Sequence, residues 1–299
     1  MVEMRELLRV TPNDPDKPVD LGATDPASTP GFPSKKVTGV DRKTWARGQV
    51  DAMSDELARQ QEMMFATAKV DPTRGRSLLL VLQAMDCGGK DGAVKRVAGA
   101  MNPLGLRITA FGPPTAQEGR HDFLWRVRKA LPPHGYVGVF NRSHYEDVLI
   151  ARVNGLVPES VWRPRYEAIN DFEREVAAGG TAVIKVMLHI SYEEQGLRLL
   201  ERLDDRTKHW KYNPADLQAR ARWDDYQAAY AEALARCGTD EAPWYVVPAD
   251  RKWYRDWAVA QLVMETFIGM RGGYPPPTFD VATERRRLEA AGKRRSEVF

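Results

Sequence analysis

The stretch from Ser77 to Gly92 contains the residue types expected of a phosphate-binding turn. An apolar run that ends near Gln83 is followed by Met85-Asp-Cys-Gly-Gly-Lys-Asp-Gly92 and then by a helix-forming segment. Glycines allow backbone N–H groups to close around an anion, a helix N-terminus adds partial positive charge, and a lysine adds a full charge. The order of strand, turn and helix therefore predicts an enzyme that handles phosphate, with Lys90 at the phosphates.

The turn departs from the Walker A pattern G-x-x-x-x-G-K-[ST] at two positions. Ala84 stands in place of the first glycine and Asp91 in place of the hydroxyl residue, so a chance Gly-Gly-Lys turn is the alternative. Asp86 is unusual, because a carboxylate in an anion-binding turn repels the ligand unless a metal ion stands between them. It indicates Mg²⁺, or Mn²⁺ in its place, although Asp can also cap a turn locally.

Cys87 lies inside the turn, where it could be a nucleophile or a small packing residue. No His stands near it in a known dyad spacing, and a nucleophilic thiol needs such a base or a lowered pKa. Free Cys more often packs as a small apolar residue. We expect Cys87 and Cys237, the two cysteines of the chain, to be reduced thiols.

Polar residues crowd the end of another predicted strand, in Val137-Gly-Val-Phe-Asn-Arg-Ser-His-Tyr-Glu-Asp147. Parallel sheets place their sites at the carboxyl ends of the strands. Arg142 can neutralise phosphate oxygens and His144 can donate to them. Glu146 or Asp147 can bind metal or recognise a nucleotide. The alternative is that these polar residues only cap the next helix.

The segment from Arg202 to Arg222 is basic, with six Lys or Arg against three Asp, and it contains Trp210 and Tyr212. In isolation such a run is more often a solvated helical face. Together with the other two stretches it predicts a mobile lid at about residues 202–222. A lid excludes water, which would otherwise hydrolyse a phosphoryl group that awaits transfer.

Strand patterns alternate with helical patterns along the chain, which predicts a parallel sheet with helices on both faces. The predicted strands are 77–83, 106–111, 136–140, 181–190 and 244–248, and the main predicted helices are 41–69, 90–101, 115–131, 158–179, 223–237 and 251–270. A further helix is predicted to begin after Ser191, because Ser191 and Glu194 form a capping-box pattern, and the stretch from Leu197 to Arg222 is strongly charged. Proline-rich residues 1–40 are expected to form an extended arm, 41–270 a single domain and 271–299 a solvated tail.

Composition restricts the partners of this 299-residue chain. Its net charge of +3 is too small by itself to imply nucleic acid or a membrane, and we expect neither as a partner. No run approaches 18 apolar residues, and the polar N-terminus does not suit a signal peptide. A cytoplasmic location is the expectation that follows.

Taken together, the three stretches resemble the second family of polyphosphate kinases. The resemblance covers the turn, the strand end Phe140–Asp147 and the lid segment Arg206–Asp216 in the same order, and it extends over roughly residues 5–270. Asp122-Phe-Leu-Trp-Arg126 and Lys129-Ala-Leu-Pro132 also match. Asn141 before Arg-Ser, with Glu146 and Asp147 downstream, is similar to the third class, which acts on nucleoside mono- and diphosphates.

The resemblance implies a three-layer α/β/α fold of the P-loop kinase type, with a central parallel five-stranded sheet and a helical lid. It implies an enzyme, a polyphosphate:AMP/ADP phosphotransferase that moves phosphoryl groups between inorganic polyphosphate and AMP, ADP or their guanine counterparts. It also implies Mg²⁺ as the metal and a homo-oligomer as the assembly.

The resemblance also assigns roles to residues of this chain. Asp86 is implied as the metal and phosphate carboxylate, Lys90 as the phosphate-binding cation, Arg142 and Arg206 as stabilisers of the transferring phosphoryl group, and Lys208 and Lys211 as contacts of the polyphosphate chain. Nucleotide or phosphate contacts are expected from Gly88, Gly89, Asp91, Gly92, Asn141, His144, Glu146 and Asp147. Gly88 departs from the Ala that is usual in the family, and we expect it only to loosen the turn through backbone entropy.

Two other functions fit the residues alone. One is an ATP-dependent kinase for a small acceptor such as a nucleoside monophosphate, which the same fold supports. The other is a non-catalytic protein that binds polyanions through the basic lid. The turn argues against the second, because simple binding needs neither Asp86 nor a metal.

Overall fold

The structure is a computed structural model that describes residues 3–11 and 14–296. Five strands form its sheet: β1 Ser77–Gln83, β2 Leu106–Ala110, β3 Val137–Asn141, β4 Thr181–His189 and β5 Trp244–Pro248. All neighbours run parallel, in the order β2-β3-β1-β4-β5. The prediction of a parallel five-stranded sheet is confirmed.

Helices fill the connections between the strands. Before β1 lie α1 Met4–Leu7, α2 Lys35–Thr38 and α3 Arg42–Val70; then come α4 Lys90–Val97, α5 Trp125–Ala130, α6 Ile150–Val153, α7 Glu159–Trp162 and α8 Arg165–Ala178. The remaining helices are α9 Tyr192–Asp204, α10 Ala215–Ala221, α11 Trp223–Arg236, α12 Lys252–Met270 and α13 Val281–Ser296. The bounds of α3, α11 and α12 agree with the predicted helices to within one residue.

The side chains of β1 pack alternately on opposite faces of the sheet. Leu78, Leu80 and Leu82 join the apolar cluster that contains α3, α4 and α12. Leu79 and Val81 join the cluster that contains α5 and α8. A strand covered on both faces must be apolar throughout, and every residue of β1 is buried. The three-layer α/β/α arrangement is therefore confirmed.

The N-terminal arm packs along the edge strand β5. The N–H of Val10 donates to the carbonyl of Trp244 at 2.9 Å, and the N–H of Val246 donates to the carbonyl of Leu8 at 3.0 Å. Leu8 is buried, and so is Phe32 farther along the arm. The arm covers backbone groups that an edge strand would otherwise expose, so it contributes to the core.

The helix predicted over residues 115–131 is wrong in its first half. A 3-10 turn at Glu118–Arg120 precedes α5, which begins only at Trp125. The side chain of Asp122 accepts the backbone N–H two residues later at 2.9 Å. Such local bonds compete with helix formation, and Gly119 disfavours a helix further.

The other predicted helices are divided by proline or by short turns. Pro164 separates α7 from α8 within the predicted helix 158–179. The lid contains the end of α9, a 3-10 segment at Arg206–Lys211, and α10. The tail forms the helix α13, which is mostly exposed over residues 281–291. Among the described residues, no helix has both the length and the apolar character needed to cross a lipid bilayer.

Candidate active site

The turn between β1 and α4 contains two residues with left-handed backbone angles. Cys87 has φ 63° and Gly89 has φ 101°. Such angles, alternating with ordinary ones, are typical of backbone nests that bind anions. The helix that begins at Lys90 adds the partial positive charge of its N-terminus. The turn therefore has the local geometry of a phosphate site.

Gly88 is required by packing as well as by flexibility. A Cβ built on Gly88 would lie 2.5 Å from the Cβ of Ala84 and 2.9 Å from the carbonyl oxygen of Met85. Both distances are shorter than van der Waals contact allows. The expectation that glycine merely loosens the turn was therefore incomplete, because this backbone leaves no room for alanine.

Lys90 is buried at the start of α4. Its Nζ donates to the carbonyl of Ala84 at 2.8 Å and approaches that of Met85 at 3.5 Å. Burial, and then the nearby charge of Arg142, lower the pKa of Lys90. Among the described residues, the ammonium group has only neutral carbonyl partners, so an anion bound at the turn would stabilise its charge.

Arg142 joins the turn to the end of β3. Its Nη2 lies 2.7 Å from Oδ1 of Asp86, and its Nη1 lies 3.2 Å from Oε2 of Glu146. Burial alone would lower the pKa of Arg142, but the carboxylates of Glu146 and Asp86 raise it above its usual value. The backbone of Arg142 is left-handed, with φ 63°. Such a conformation costs free energy in a residue with a side chain and is most common at functional sites.

Asn141, at the end of β3, contacts Asp91 of the turn, and Asp91 in turn contacts the lid. Its Nδ2 donates to Oδ1 of Asp91 at 2.8 Å. The other oxygen of Asp91 lies 3.7 Å from Nζ of Lys211. The predicted strand end, turn and lid therefore meet at one carboxylate.

These three segments line a cavity of about 520 Å³ at the carboxyl ends of the strands. Its cationic residues are Lys90, Arg142, Arg198, Arg202, Lys208, Lys211, Lys252 and Arg255, and its carboxylates are Asp86, Asp91, Glu201 and Asp216. The excess of positive charge is concentrated on the walls of one cleft. A cleft of this kind attracts a polyanionic ligand.

A model of the family described as polyphosphate kinase 2 matches residues 48–271. This match covers most of the chain. The chain belongs to the polyphosphate kinase 2 family. The resemblance inferred from the three sequence stretches is confirmed.

Full-length relatives agree with this assignment. The AMP/ADP-polyphosphate phosphotransferase of Meiothermus ruber is 42% identical over 92% of this chain and 97% of its own. The ADP-polyphosphate phosphotransferase of Rhodopseudomonas palustris is 38% identical over 87% of this chain and 89% of its own. The crystal structure of polyphosphate kinase 2 from Arthrobacter aurescens TC1 is similar with a TM-score of 0.89 and 46% identity, covering 96% of this chain and 97% of that chain.

In this member of the polyphosphate kinase 2 family, His144 does not line the cavity. The predicted contact of His144 with phosphate is therefore not seen. Its side chain is only 1% exposed, and its Nε2 lies 3.1 Å from Oε1 of Glu173. The same oxygen accepts the hydroxyl of Tyr145 at 2.9 Å, and Lys185 pairs with Glu173. The predicted role is therefore corrected: His144 belongs to a buried polar network behind the strand end.

Asp147 also faces away from the cavity. Nη1 of Arg165 donates to its backbone oxygen at 2.9 Å and to its Oδ1 at 3.1 Å. The segment His144–Asp147 forms a 3-10 turn, in which successive side chains point in different directions. Only Glu146 of this turn reaches Arg142, so the expected contact of Asp147 with nucleotide or metal does not fit this arrangement.

The lid cations fall into two groups. Lys208 and Lys211 line the cavity, as expected of contacts to a polyphosphate chain. Arg206 is exposed and is absent from the cavity wall. In the part of the chain that the structure describes, its guanidinium makes no ion pair. Its contact with a transferring phosphoryl group remains a prediction that requires the lid to move.

Arg198 is a site residue that the sequence did not indicate. It is 6% exposed; its Nη1 donates to the carbonyl of Cys87 at 2.9 Å, and its Nη2 donates to the carbonyl of Ala249 at 2.6 Å. It thus joins the phosphate turn to the loop after β5. It lies four residues from Glu194, with which it pairs, and this spacing is also common on an ordinary solvent-facing helix.

Three more cavity cations were not predicted as individual site residues, although the first of them begins the predicted lid segment. They are Arg202, Lys252 and Arg255. Arg202 pairs with Asp216 at 3.1 Å. Lys252 and Arg255 lie in the first turn of α12. The sequence could have indicated their place in the site only because α12 follows β5, whose carboxyl end lies on the same side of the sheet as the phosphate turn.

Cys87 has the properties of a packing residue. Burial raises the pKa of its thiol to about 11, and the pKa of Cys237 is raised to about 12 for the same reason. A thiol with such a pKa is protonated at neutral pH and is a weak nucleophile. The expectation that both cysteines are reduced thiols agrees with the structure.

The chemistry of the donors at Asp86 suits a magnesium ion that is held mainly by substrate. Within residues 3–11 and 14–296, no three His, Cys, Asp or Glu side chains converge as a metal-binding group. Asp86 nevertheless lines the cavity with 26% of its side chain exposed. Mg²⁺ commonly binds one or two carboxylates together with substrate phosphates and water, so this carboxylate fits such an ion.

Proposed function

We propose that the protein transfers phosphoryl groups between inorganic polyphosphate and the nucleotides AMP and ADP. The observation that carries the proposal is the cavity, in which cations from the turn, the strand end, the lid and α12 line the same walls as the carboxylate of Asp86. Family membership supports polyphosphate as the donor. The relatives are named AMP/ADP-polyphosphate and ADP-polyphosphate phosphotransferase, and these names support AMP and ADP as the acceptors.

Phosphoryl transfer suits the residues that meet in this cavity. The reaction needs positioning and charge neutralisation more than it needs covalent chemistry by the protein. Lys90 and Arg142 would stabilise the negative charge on the transferring group, and Lys208 and Lys211 would bind the rest of the polyphosphate chain. Because the bonds broken and formed are both phosphoanhydrides, the reaction should be near balance and run in either direction.

A divalent metal, Mg²⁺ or Mn²⁺, is part of the proposal. Asp86 would hold it together with phosphate oxygens, and the metal would supply additional positive charge at the phosphates. Arg142 already contacts Asp86 at 2.7 Å. Its guanidinium can therefore keep the carboxylate oriented toward the cavity while the metal is absent or exchanging.

We further propose that both AMP and ADP, or GMP and GDP, are accepted. The support is the resemblance of Asn141 and Glu146 to residues of the class that uses nucleoside mono- and diphosphates. Both residues are positioned for such a role, since Asn141 lines the cavity and Glu146 contacts Arg142. Asp147, which pairs with Arg165, is omitted from this set.

A panel of acceptors tests the proposal. The purified protein is incubated with polyphosphate, Mg²⁺ and AMP, ADP, GMP or GDP in turn, and the nucleotides are separated by chromatography. We expect AMP to yield ADP and then ATP, and chelation of the metal to stop both steps. No product with any acceptor would contradict the proposal. Failure of polyphosphate as a donor, together with consumption of added ATP, would favour the ATP-dependent kinase instead.

A homo-oligomer is proposed from the family resemblance alone. Size-exclusion chromatography with light scattering measures the mass of the particle directly. A mass that is a multiple of the 33.7 kDa chain is the expected result. A monomer at every concentration tested would contradict it.

A further inference from the structure

Glu201 connects two lysines that come from different segments of the cavity wall. Its Oε1 lies 2.7 Å from Nζ of Lys208, in the lid, and its Oε2 lies 3.1 Å from Nζ of Lys252, at the start of α12. All three residues line the cavity. One carboxylate of α9 therefore joins the lid to the body of the protein across the expected path of the substrate.

The carboxylate of Glu201 balances the charge of Lys252. Among the residues that the structure describes, Glu201 is its only ion-pair partner. Lys208 has one other partner, Asp205, at 3.0 Å. Hydrogen bonds from Lys208 and Lys252 lower the pKa of Glu201, so its carboxylate is ionised at neutral pH. It thus neutralises cations that would otherwise face the cavity.

Glu201 differs from the carboxylates that pair with Arg202 and Arg142 in the cavity. Asp216 is buried beside Arg202, and Glu146 is only 15% exposed beside Arg142. The side chain of Glu201 is 49% exposed, and its two partners are lysines. Lysine carries its charge on a flexible stem, and exposed ion pairs contribute little stability. A stronger anion can therefore take both lysines from Glu201 at small cost.

We propose that Glu201 occupies the place of a substrate phosphate between Lys208 and Lys252 and weakens the binding of polyphosphate. When the polyanion enters, the lysines turn from the carboxylate to the phosphates. The negative carboxylate of Glu201 then lies beside the negative phosphates, and their repulsion opposes binding. This inference rests on the proposed function, because it takes polyphosphate as the ligand of the cavity. It makes Glu201 a residue that sets donor affinity and that pairs the lid with α12 before polyphosphate binds.

The test compares Glu201→Gln with Glu193→Gln. Glu193 lies on the same helix, is exposed and makes no ion pair with any residue that the structure describes. Both variants change the net charge by the same amount, so the pair separates a local effect from a general one. The binding of polyphosphate of defined length is measured by calorimetry without nucleotide, and the exchange of backbone amide hydrogens is followed in residues 204–213.

We expect Glu201→Gln to bind polyphosphate about three- to ten-fold more tightly than the unchanged protein, the size expected for removal of one partly exposed like charge. Glu193→Gln should bind with the original affinity. Hydrogen exchange in the lid should be faster in Glu201→Gln without polyphosphate and should slow on binding. These results together would support the inference.

Two outcomes would overturn the inference. Equal or weaker binding by Glu201→Gln would show that Glu201 only supports the lid. Equally tightened binding in both variants would show an effect of net charge. The proposed function is judged separately, by whether the unchanged protein phosphorylates nucleotides from polyphosphate. If the protein binds polyphosphate but transfers no phosphoryl group, the proposed function is wrong. The binding of polyphosphate by the two variants can still be compared in that case.

Discussion

The guanidinium of Arg255 fills the space that a side chain at Gly89 would need. A Cβ on Gly89 would lie 1.8 Å from Nη1 of Arg255, and a Cβ on Gly92 would lie 2.6 Å from its Nη2. Arg255 is 4% exposed and is held by Asp256 at 2.6 Å. Arg255 therefore leaves room only for glycine at two positions of the phosphate turn, although it lies more than 160 positions away in the sequence.

We expect Gly89→Ala to destabilise the protein and to abolish most of its activity. The new methyl group would strain the left-handed backbone and displace Arg255, at a combined cost of about 2–4 kcal/mol in the free energy of unfolding. Denaturant unfolding and transfer assays measure the two effects. Gly99→Ala is the control, because a Cβ there meets open space. Unchanged stability in Gly89→Ala would show that Arg255 can move away freely.

Replacement of Lys90 by methionine should remove activity without unfolding the protein. Loss of the cation at the phosphates should lower turnover by about three powers of ten. Stability should change by only about 1 kcal/mol, since the carbonyls of Ala84 and Met85 lose a donor but a buried charge is also removed. Lys95→Met, on the exposed face of α4, is the control. Normal rates in Lys90→Met would refute the assignment of the site.

The sequence was sufficient to predict the five strands, because β1 and β4 have apolar runs typical of a doubly covered sheet and the others have shorter strand patterns bounded by turn residues. It was insufficient for Arg198 and Arg255, whose positions depend on how α9 and α12 pack against the turn. Charged residues on a helix have the same pattern whether they face water or a cavity. Proximity in sequence was misleading for His144, because a 3-10 turn directs it toward Glu173 and away from the substrate.

The buried pair of Glu173 and Lys185 should make stability depend on pH in the acid range. Burial alone would raise the pKa of Glu173, but Lys185 and His144 lower it below the usual 4.5. The unfolded chain therefore takes up a proton first as the pH falls. The stability from this carboxylate is complete above about pH 4.5 and is lost progressively as the pH falls below that value toward the lowered pKa. Thermal unfolding across this range checks the direction.

Glu173→Gln tests the same network at neutral pH. Lys185 would remain buried without a carboxylate, which should cost about 3–5 kcal/mol. Part of the acid dependence should disappear with it. Glu175→Gln is the matched control on α8, because its pair with Arg128 lies on the surface and should contribute less than about 1 kcal/mol. Equal effects of the two substitutions would contradict the importance of the buried network.

Arg206 provides a test of lid movement. It is exposed in this structure, so Arg206→Ala should leave the thermal midpoint unchanged. If the lid brings Arg206 to the transferring phosphoryl group, turnover should fall by at least about ten-fold, while the KM for polyphosphate changes little. A rise in KM at constant turnover would instead show that Arg206 only binds the chain. Arg74→Ala is the control for loss of a surface cation, because Arg74 directly precedes β1 and so lies at the amino ends of the strands, away from the cavity. Identical kinetics of the two variants would remove Arg206 from the site and leave Lys208 and Lys211 as the lid residues that contact substrate.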